Sequence, residues 1–477
     1  MLLHILLLLL TLQQWVFPII PSQATQQLLQ EEFLSSSYSS VYIGEQEGLR
    51  EADKIGGLPE QPPGVEFDQY SGYVTVDPKA GRSLFYYFAE SPHNASSKPL
   101  ILWLAGGPGS SALGYGSFLG MGPFKVHSDG KTLYMNDYSW NKVANVLFLE
   151  SPAGVGFSYS NTTSDYDTAD DNRTTADAYS FLVNWLERFP EYKSRDLYLS
   201  GVSYGGRFVS ELAYAILLNN KNRSLPFINL KNIAIGNPVL DFRLAAKGNL
   251  EYMWTHGMIS DTTHEAIAKY CDFESGKYSD TCNAYMSKAN SEAGPVPRAN
   301  IFSYDCDTTH NTSKPQSFPI TGYDECSRYY VERYVNQRDV QEALHAINTN
   351  WTILSNYVGP RNWNNMPMTV LPILQHLIAN KVHILIISGD LDDIMSVTTT
   401  RLAIRTMKLP VVTDWRPWLS DHTLQEVGGY VEVYEGLTLA TIRGAGHEFA
   451  SYQPQRSLVV ISSFLQGELP PSRASFS

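Results

Sequence analysis

Ser203 stands in Gly201-Val202-Ser203-Tyr204-Gly205, the Gly-x-Ser-x-Gly pattern that raises a serine nucleophile on a sharp strand-to-helix turn. The residues before it, 196–200, read as a short buried strand. Those after it, 207–218, carry apolar side chains at helical spacing. A serine hydroxyl is a poor nucleophile at its free pKa. It needs a base, and the base needs an acid to orient it. On this kind of elbow the partners follow in the chain order Ser, Asp, His. Two downstream sites fit. The apolar run Ile384–Ile387 ends in Ser388-Gly389-Asp390-Leu391-Asp392-Asp393, and the run Leu439–Ile442 ends in Arg443-Gly444-Ala445-Gly446-His447. Ser203, Asp392 and His447 are therefore the expected triad. Asp392 is preferred as the acid because it sits three residues past Gly389, the usual place for it. Asp390 and Asp393 read as turn or surface residues.

Acyl transfer also needs donors for the developing oxyanion, each worth ~3 kcal/mol in the transition state. The run Leu100–Leu104 leads into Ala105-Gly106-Gly107-Pro108-Gly109-Ser110-Ser111, a Gly-rich turn able to aim a backbone N–H at the serine. The Gly107 and Tyr204 N–H groups are the expected oxyanion hole. No metal or other cofactor is called for. His264-Glu265 and His447-Glu448 each lack the second histidine of a zinc-protease helix, and no Gly-x-x-x-x-Gly-Lys phosphate loop is present.

These pieces need a scaffold. The chain has 477 residues, 43% hydrophobic and 17% charged, enough to bury a large core. From Lys54 to Gly236, apolar runs at 85–89, 100–104, 146–149, 197–200 and 233–235 alternate with helical patterns, the longest at 170–189 and closed by Pro190. Runs this dense in apolar residues suit strands covered on both faces. The expected fold is α/β, a mostly parallel central sheet flanked by helices. From Asp241 to Met368 the texture turns polar, Cys-bearing and helical, with a Pro-rich loop at 293–319, and reads as an insertion over the sheet. Strand texture returns at 382–387 and 439–442, before a C-terminal helix over 454–465. The expected organisation is a signal segment 1–24, an N-terminal arm or propeptide 25–53 that is weakly structured over 28–50, a first core part 54–240, the insertion 241–368 and a second core part 369–470.

The leucine-rich N-terminus, followed by Pro21-Ser22-Gln23-Ala24, reads as a signal peptide. No later stretch is apolar enough to span a bilayer, so stable membrane insertion is not expected. Sequons at Asn94, Asn161, Asn172, Asn222, Asn311 and Asn350 point to a glycosylated secretory-pathway product, extracellular or vacuolar. Cys271, Cys282, Cys306 and Cys326 form two disulfides in such a compartment, and four cysteines leave three pairings open. The net charge of −13 argues against a nucleic-acid partner.

With these motifs the chain resembles the serine carboxypeptidase family, of α/β-hydrolase fold, and within it the plant secretory branch. Trp103-Leu-Ala-Gly-Gly-Pro-Gly-Ser-Ser111 is similar to the family's Trp-Leu-Asn-Gly-Gly-Pro-Gly-Cys-Ser. The segments 150–159, 389–392 and 444–447 follow the family pattern, and 415–418 and 434–437 follow the plant branch. The resemblance implies the α/β-hydrolase core with a disulfide-bearing cap, a small-molecule ester or peptide as substrate, and pairing of Cys271 with Cys282 and of Cys306 with Cys326. It leaves a homodimer open.

The departures carry the functional reading. By resemblance, the family grips a peptide's terminal carboxylate with an Asn and two acids sharing a proton. Those positions are Ala105, Val202 and Gly120, which with Gly106 are placed against the substrate. A carboxylate set there without donors would cost several kcal/mol. The family's Cys after Gly-Pro-Gly is Ser110, and its partner aligns with Leu354, so both ends of one disulfide are missing together. The expected activity is therefore acyl transfer from a glucose ester to a small-molecule alcohol through an acyl-enzyme. A carboxypeptidase with an altered clamp is the alternative. A hydroxynitrile lyase and a non-catalytic companion protein are lesser ones.

Overall fold

The computed structural model describes residues 41–222, 224–306, 322–420 and 426–472. The signal segment, most of the arm and the Asn311 sequon lie outside them. Dense apolar runs become strands because β-branched and aromatic side chains fill both faces of a pleated ribbon. In chain order the strands are β1 (Lys54–Ile55), β2 (Gln69–Asp77), β3 (Arg82–Ala89), β4 (Leu100–Leu104), β5 (Phe124–Val126), β6 (Leu133–Met135) and β7 (Asn145–Leu149). They continue with β8 (Leu197–Val202), β9 (Leu230–Gly236), β10 (His383–Gly389), β11 (Val411–Leu419), β12 (Val427–Tyr434) and β13 (Leu437–Ile442). Apart from the β5–β6 hairpin they form one sheet, in the order β1-β2-β3-β7-β4-β8-β9-β10-β13-β12-β11. The stretch from β7 to β13 is parallel, and the margins are antiparallel. This is the α/β-hydrolase arrangement.

The main helices are α1 (Asp171–Arg188), α2 (Gly205–Asn219), α3 (Phe242–Thr255), α4 (Asp261–Tyr270), α5 (Asp280–Ala293), α6 (Ser327–Val335), α7 (Arg338–Ala343), α8 (Leu371–Ala379), α9 (Val397–Met407) and α10 (Pro454–Gln466). Apolar side chains on α1, α2, α8 and α9 close one face of the sheet, among them Phe181, Trp185, Phe208, Leu212, Leu374 and Ile404. The other face is covered by α10, by α6 and α7, and by a π-helical stretch, Ala112–Met121. Each central strand is thus buried on both sides, as its composition predicts.

The insertion has two parts. Its first part, α3 to α5, has a small core of its own around Leu250, Met253, Ile259, Ile267 and Ala289, and Cys271–Cys282 closes it. Its second part, α6 and α7, puts Val331, Tyr334, Val340 and Leu344 into the main core. Cys306–Cys326 joins the two parts. The described end of the arm, from Val41, is held by the domain. Buried Asn184 of α1 donates to the Tyr42 carbonyl at 2.7 Å and accepts from the Gly44 N–H at 2.8 Å. Arg188 pairs with Asp53. Residues from Val41 onward are therefore docked on the domain. Among the described residues no helix is long and apolar enough to cross a membrane.

The fold buries acids. Loss of solvent pushes Glu150, Glu325, Asp393 and Glu448 up to about 7 and Asp177 to about 6. Each holds its proton more tightly folded than unfolded. Each therefore favours the native state at low pH, and that contribution is lost as pH rises through about 6 to 7. His376 and His383, lowered by burial, oppose this only weakly. Thermal melts should accordingly give a Tm lower at pH 7 than at pH 5, by ~2 °C or more.

Candidate active site

Four parallel strands set the geometry. β8, β9, β10 and β13 are neighbours and end together, so the loops after them share one end of the sheet, where open α/β sheets place their sites. β8 delivers Ser203, β10 delivers Asp392 and β13 delivers His447.

The elbow is tight because three glycines let backbones touch. A Cβ on Gly201 would lie 2.7 Å from the Leu104 carbonyl oxygen, and one on Gly205 2.5 Å from the same atom. Ser203 has φ of 61°, left-handed for a residue with a side chain. Such a backbone costs about 1–3 kcal/mol and persists only where neighbours over-determine it. They do so: the Ser203 N–H donates to the Gly236 carbonyl at 2.9 Å, and the Ser203 carbonyl accepts from Val239 at 3.1 Å and Gly206 at 3.0 Å.

Of the three acids after β10, Asp392 alone meets the histidine. His447 Nδ1 lies 2.7 Å from Asp392 Oδ2, while Asp392 Oδ1 accepts from the Ile394 and Met395 N–H groups at 2.7 and 3.3 Å. Asp392 is fully buried. Asp390 instead accepts from the Gly444 N–H at 2.7 Å, bracing the histidine loop, and Asp393 pairs with Arg298. Burial pushes His447 down. The charge and hydrogen bond of Asp392, with Glu448 beside it, outweigh burial and leave the imidazole above its ordinary value.

The turn after β4 lies against the elbow. A Cβ on Gly106 would stand 2.6 Å from the Val202 oxygen and 2.8 Å from the Tyr204 nitrogen, and Gly107 has φ of 107°. Among the described residues, neither the Gly107 nor the Tyr204 N–H has a backbone acceptor outside the regular elements. The Tyr204 phenol is tied away by Asp171 at 2.8 Å, so this residue offers the site its N–H.

Two supports escaped the sequence reading. Glu150 is fully buried and accepts from Ser111 Oγ, the Phe157 N–H at 2.5 Å and Trp351 Nε1 at 3.3 Å, which fixes the end of the Gly-rich turn. Asn237 donates to the Gly446 and His447 carbonyls at 3.1 and 2.7 Å and accepts from the Gly389 N–H at 2.9 Å, joining the acid and histidine loops. The only local signal for Asn237 is its place between a strand end and Pro238.

The positions singled out as a lost clamp are apolar in fact. Ala105 and Val202 are each 4% exposed. At Gly120 a Cβ would lie 2.5 Å from the Tyr115 oxygen, and the Gly120 carbonyl is held by Lys125 Nζ at 2.6 Å and Asn136 at 3.3 Å. Ser110 and Leu354, the two ends of the missing disulfide, face each other as an antiparallel bridge. The Ser111 N–H to Ile353 carbonyl (2.9 Å) and Ser355 N–H to Gly109 carbonyl (2.8 Å) bonds continue that contact.

Comparison with known proteins now decides the lineage. The family model described as serine carboxypeptidase matches residues 59–467. The chain belongs to the serine carboxypeptidase family. It is 47% identical to serine carboxypeptidase-like 28 of Arabidopsis thaliana over 431 residues, covering 89% of this chain and 92% of that protein. It is 44% identical to serine carboxypeptidase 24 of the same plant over 467 residues, covering 93% and 97%. In fold it is similar to the prohormone-processing carboxypeptidase Kex1 of Saccharomyces cerevisiae, with a TM-score of 0.74 at 23% identity, covering 88% of this chain and 96% of that one.

The serine carboxypeptidase framework and the raised His447 give a pH prediction. A general base must be neutral, so the acidic limb of kcat/KM for an ester should have its midpoint above ~6.5, the unperturbed imidazole value. Asp392→Asn should move that midpoint down and lower kcat about 10³- to 10⁴-fold. Rate–pH profiles of the two proteins measure both.

Proposed function

We propose that this serine carboxypeptidase-like protein transfers an acyl group from a glucose ester to a small-molecule alcohol, with Ser203, His447 and Asp392 as its triad. Ser203 Oγ attacks the ester carbonyl while His447 takes its proton and Asp392 holds the imidazole. The Gly107 and Tyr204 N–H groups receive the oxyanion. Collapse expels glucose, which takes the proton from His447 and leaves an acyl-serine. The acceptor hydroxyl gives its proton to His447 and attacks the acyl-serine, and Ser203 is regenerated.

The observation that carries the reading is the apolar character of Ala105, Val202 and Gly120, with no room for a side chain at the last. A neutral ester leaves no charge to be gripped there, whereas a peptide carboxylate would lie desolvated and unpaired. A peptidase acting through an altered clamp is the second reading, favoured by the 44% identity to serine carboxypeptidase 24 of Arabidopsis thaliana. Two disulfides and the N-terminal apolar segment support a product of the secretory pathway, vacuolar or extracellular.

A donor screen separates the readings. The purified protein should form acyl-transfer product from glucose esters of aromatic acids and cleave blocked dipeptides only weakly, with both activities lost in Ser203→Ala. Comparable kcat/KM on blocked dipeptides would overturn the acyltransferase reading. Introducing Ala105→Asn with Val202→Glu should raise dipeptide kcat/KM by about 10- to 100-fold, since a hydrogen bond to a charged group contributes ~1.5–3 kcal/mol.

A further inference from the structure

Asp392 and His447 hang on separate loops, and a third segment crosses both. After α5 the insertion returns as residues 298–301. The Asp393 N–H donates to the Arg298 carbonyl at 2.8 Å, and the Ile301 N–H to the Leu391 carbonyl at 3.0 Å, so the strap brackets Asp392 on both sides. The His447 N–H donates to the Ala299 carbonyl at 2.6 Å. Gly446 admits no side chain against the Ala299 carbonyl and the Asn300 Cβ, and Asn300 is fully buried. Four residues of the insertion thus touch both loops that form the acid–histidine pair.

The same strap answers an electrostatic problem. Asp393 follows Asp392 directly and is fully buried, so its carboxylate has lost its water. Its partner is the Arg298 guanidinium, in an ion pair. Tyr252 also faces these acids, but its hydroxyl is spent on the Asp390 carbonyl at 2.7 Å. A buried carboxylate with one cation is tolerated; the same carboxylate alone must take up a proton, move toward water or repel its neighbour. Movement of Asp393 would carry Asp392 with it and pull on the strap.

We propose that Arg298 is a positioning residue for the acid–histidine pair: by neutralising Asp393 it keeps the strap 298–301 seated across the loops that bear Asp392 and His447. The inference rests on the reading of Ser203, His447 and Asp392 as the triad. It is independent of which acyl donor is used. The backbone bonds of the strap hold the loops, and the guanidinium offsets the charge of Asp393, which repels Asp392 beside it.

Inactivation of the protein by a fluorophosphonate probe tests this, with kinact and KI measured separately. Arg298→Ala should lower kinact about 10- to 100-fold, because small misplacements of catalytic groups cost this much, and leave KI unchanged. Arg298→Lys keeps the charge and should retain most of the rate. In Arg298→Ala/Asp393→Asn the charge to be neutralised is gone, and kinact should return to within about threefold of the parent. A parental kinact in Arg298→Ala would overturn the proposal. So would a double variant as slow as the single one, which would reduce Arg298 to a packing residue. Should Arg298→Ala not fold, the lysine and double variants still decide the question. Labelling of Ser203→Ala at the parental rate would instead sink the triad reading, an outcome distinct from both.

Discussion

Direct contact between two stretches of backbone governs this molecule. The turn after β4 and the elbow after β8 meet at Gly106, Gly201 and Gly205, where carbonyl oxygens and amide nitrogens occupy the space a side chain would take. Adjacent parallel strands make that approach possible, and the absence of Cβ atoms makes it close enough to matter. Ser203 can hold its left-handed backbone because this contact and the hydrogen bonds from β9 leave it no alternative. The two N–H groups assigned to the oxyanion are consequences of the same contact. Preorganisation of this kind is worth more than any single side chain, since nothing has to reorient as charge develops.

Local pattern made the centre of the fold legible and left its margins obscure. Strands covered on both faces announce themselves by unbroken apolar runs, as Ile384–Ile387 does. The antiparallel margins do not. β11 alternates poorly, carries Pro417 and is largely exposed, and β2 has Gly72 and polar residues scattered through it. The stretch Ala112–Met121 is mostly apolar and rich in glycine, so it has no helical stripe to read. Its backbone bonds reach back five residues, as from the Gly122 N–H to the Ser117 carbonyl. At the site, motif order and spacing pointed to Ser203, Asp392 and His447, and the structure sets Asp392 against His447 while Asp390 and Asp393 meet other partners. The supports Glu150, Asn237 and Arg298 act on residues tens to hundreds of positions away, and no periodicity encodes such pairs.

Burial of acids runs through the structure, and each is satisfied differently. Glu150 is surrounded by donors and stays as a hinge-pin of the Gly-rich turn. Asp392 divides its oxygens between backbone and imidazole. Asp171 collects the Tyr204 hydroxyl and the Trp363 indole at 2.8 and 2.9 Å beneath the elbow, with Arg207 3.6 Å away. Buried polar networks rigidify what surrounds them to the extent that their members are satisfied. By contrast Ala105 and Val202, beside the elbow, carry no polar side-chain atom and are buried.

Gly120 adds a packing constraint of its own. The Tyr115 carbonyl lies where the first atom of any side chain would have to stand, and Lys125 and Asn136 hold the Gly120 carbonyl from the other side. Any side chain at this position would therefore require the surrounding turn to shift, so a single substitution here cannot leave the local backbone as it is.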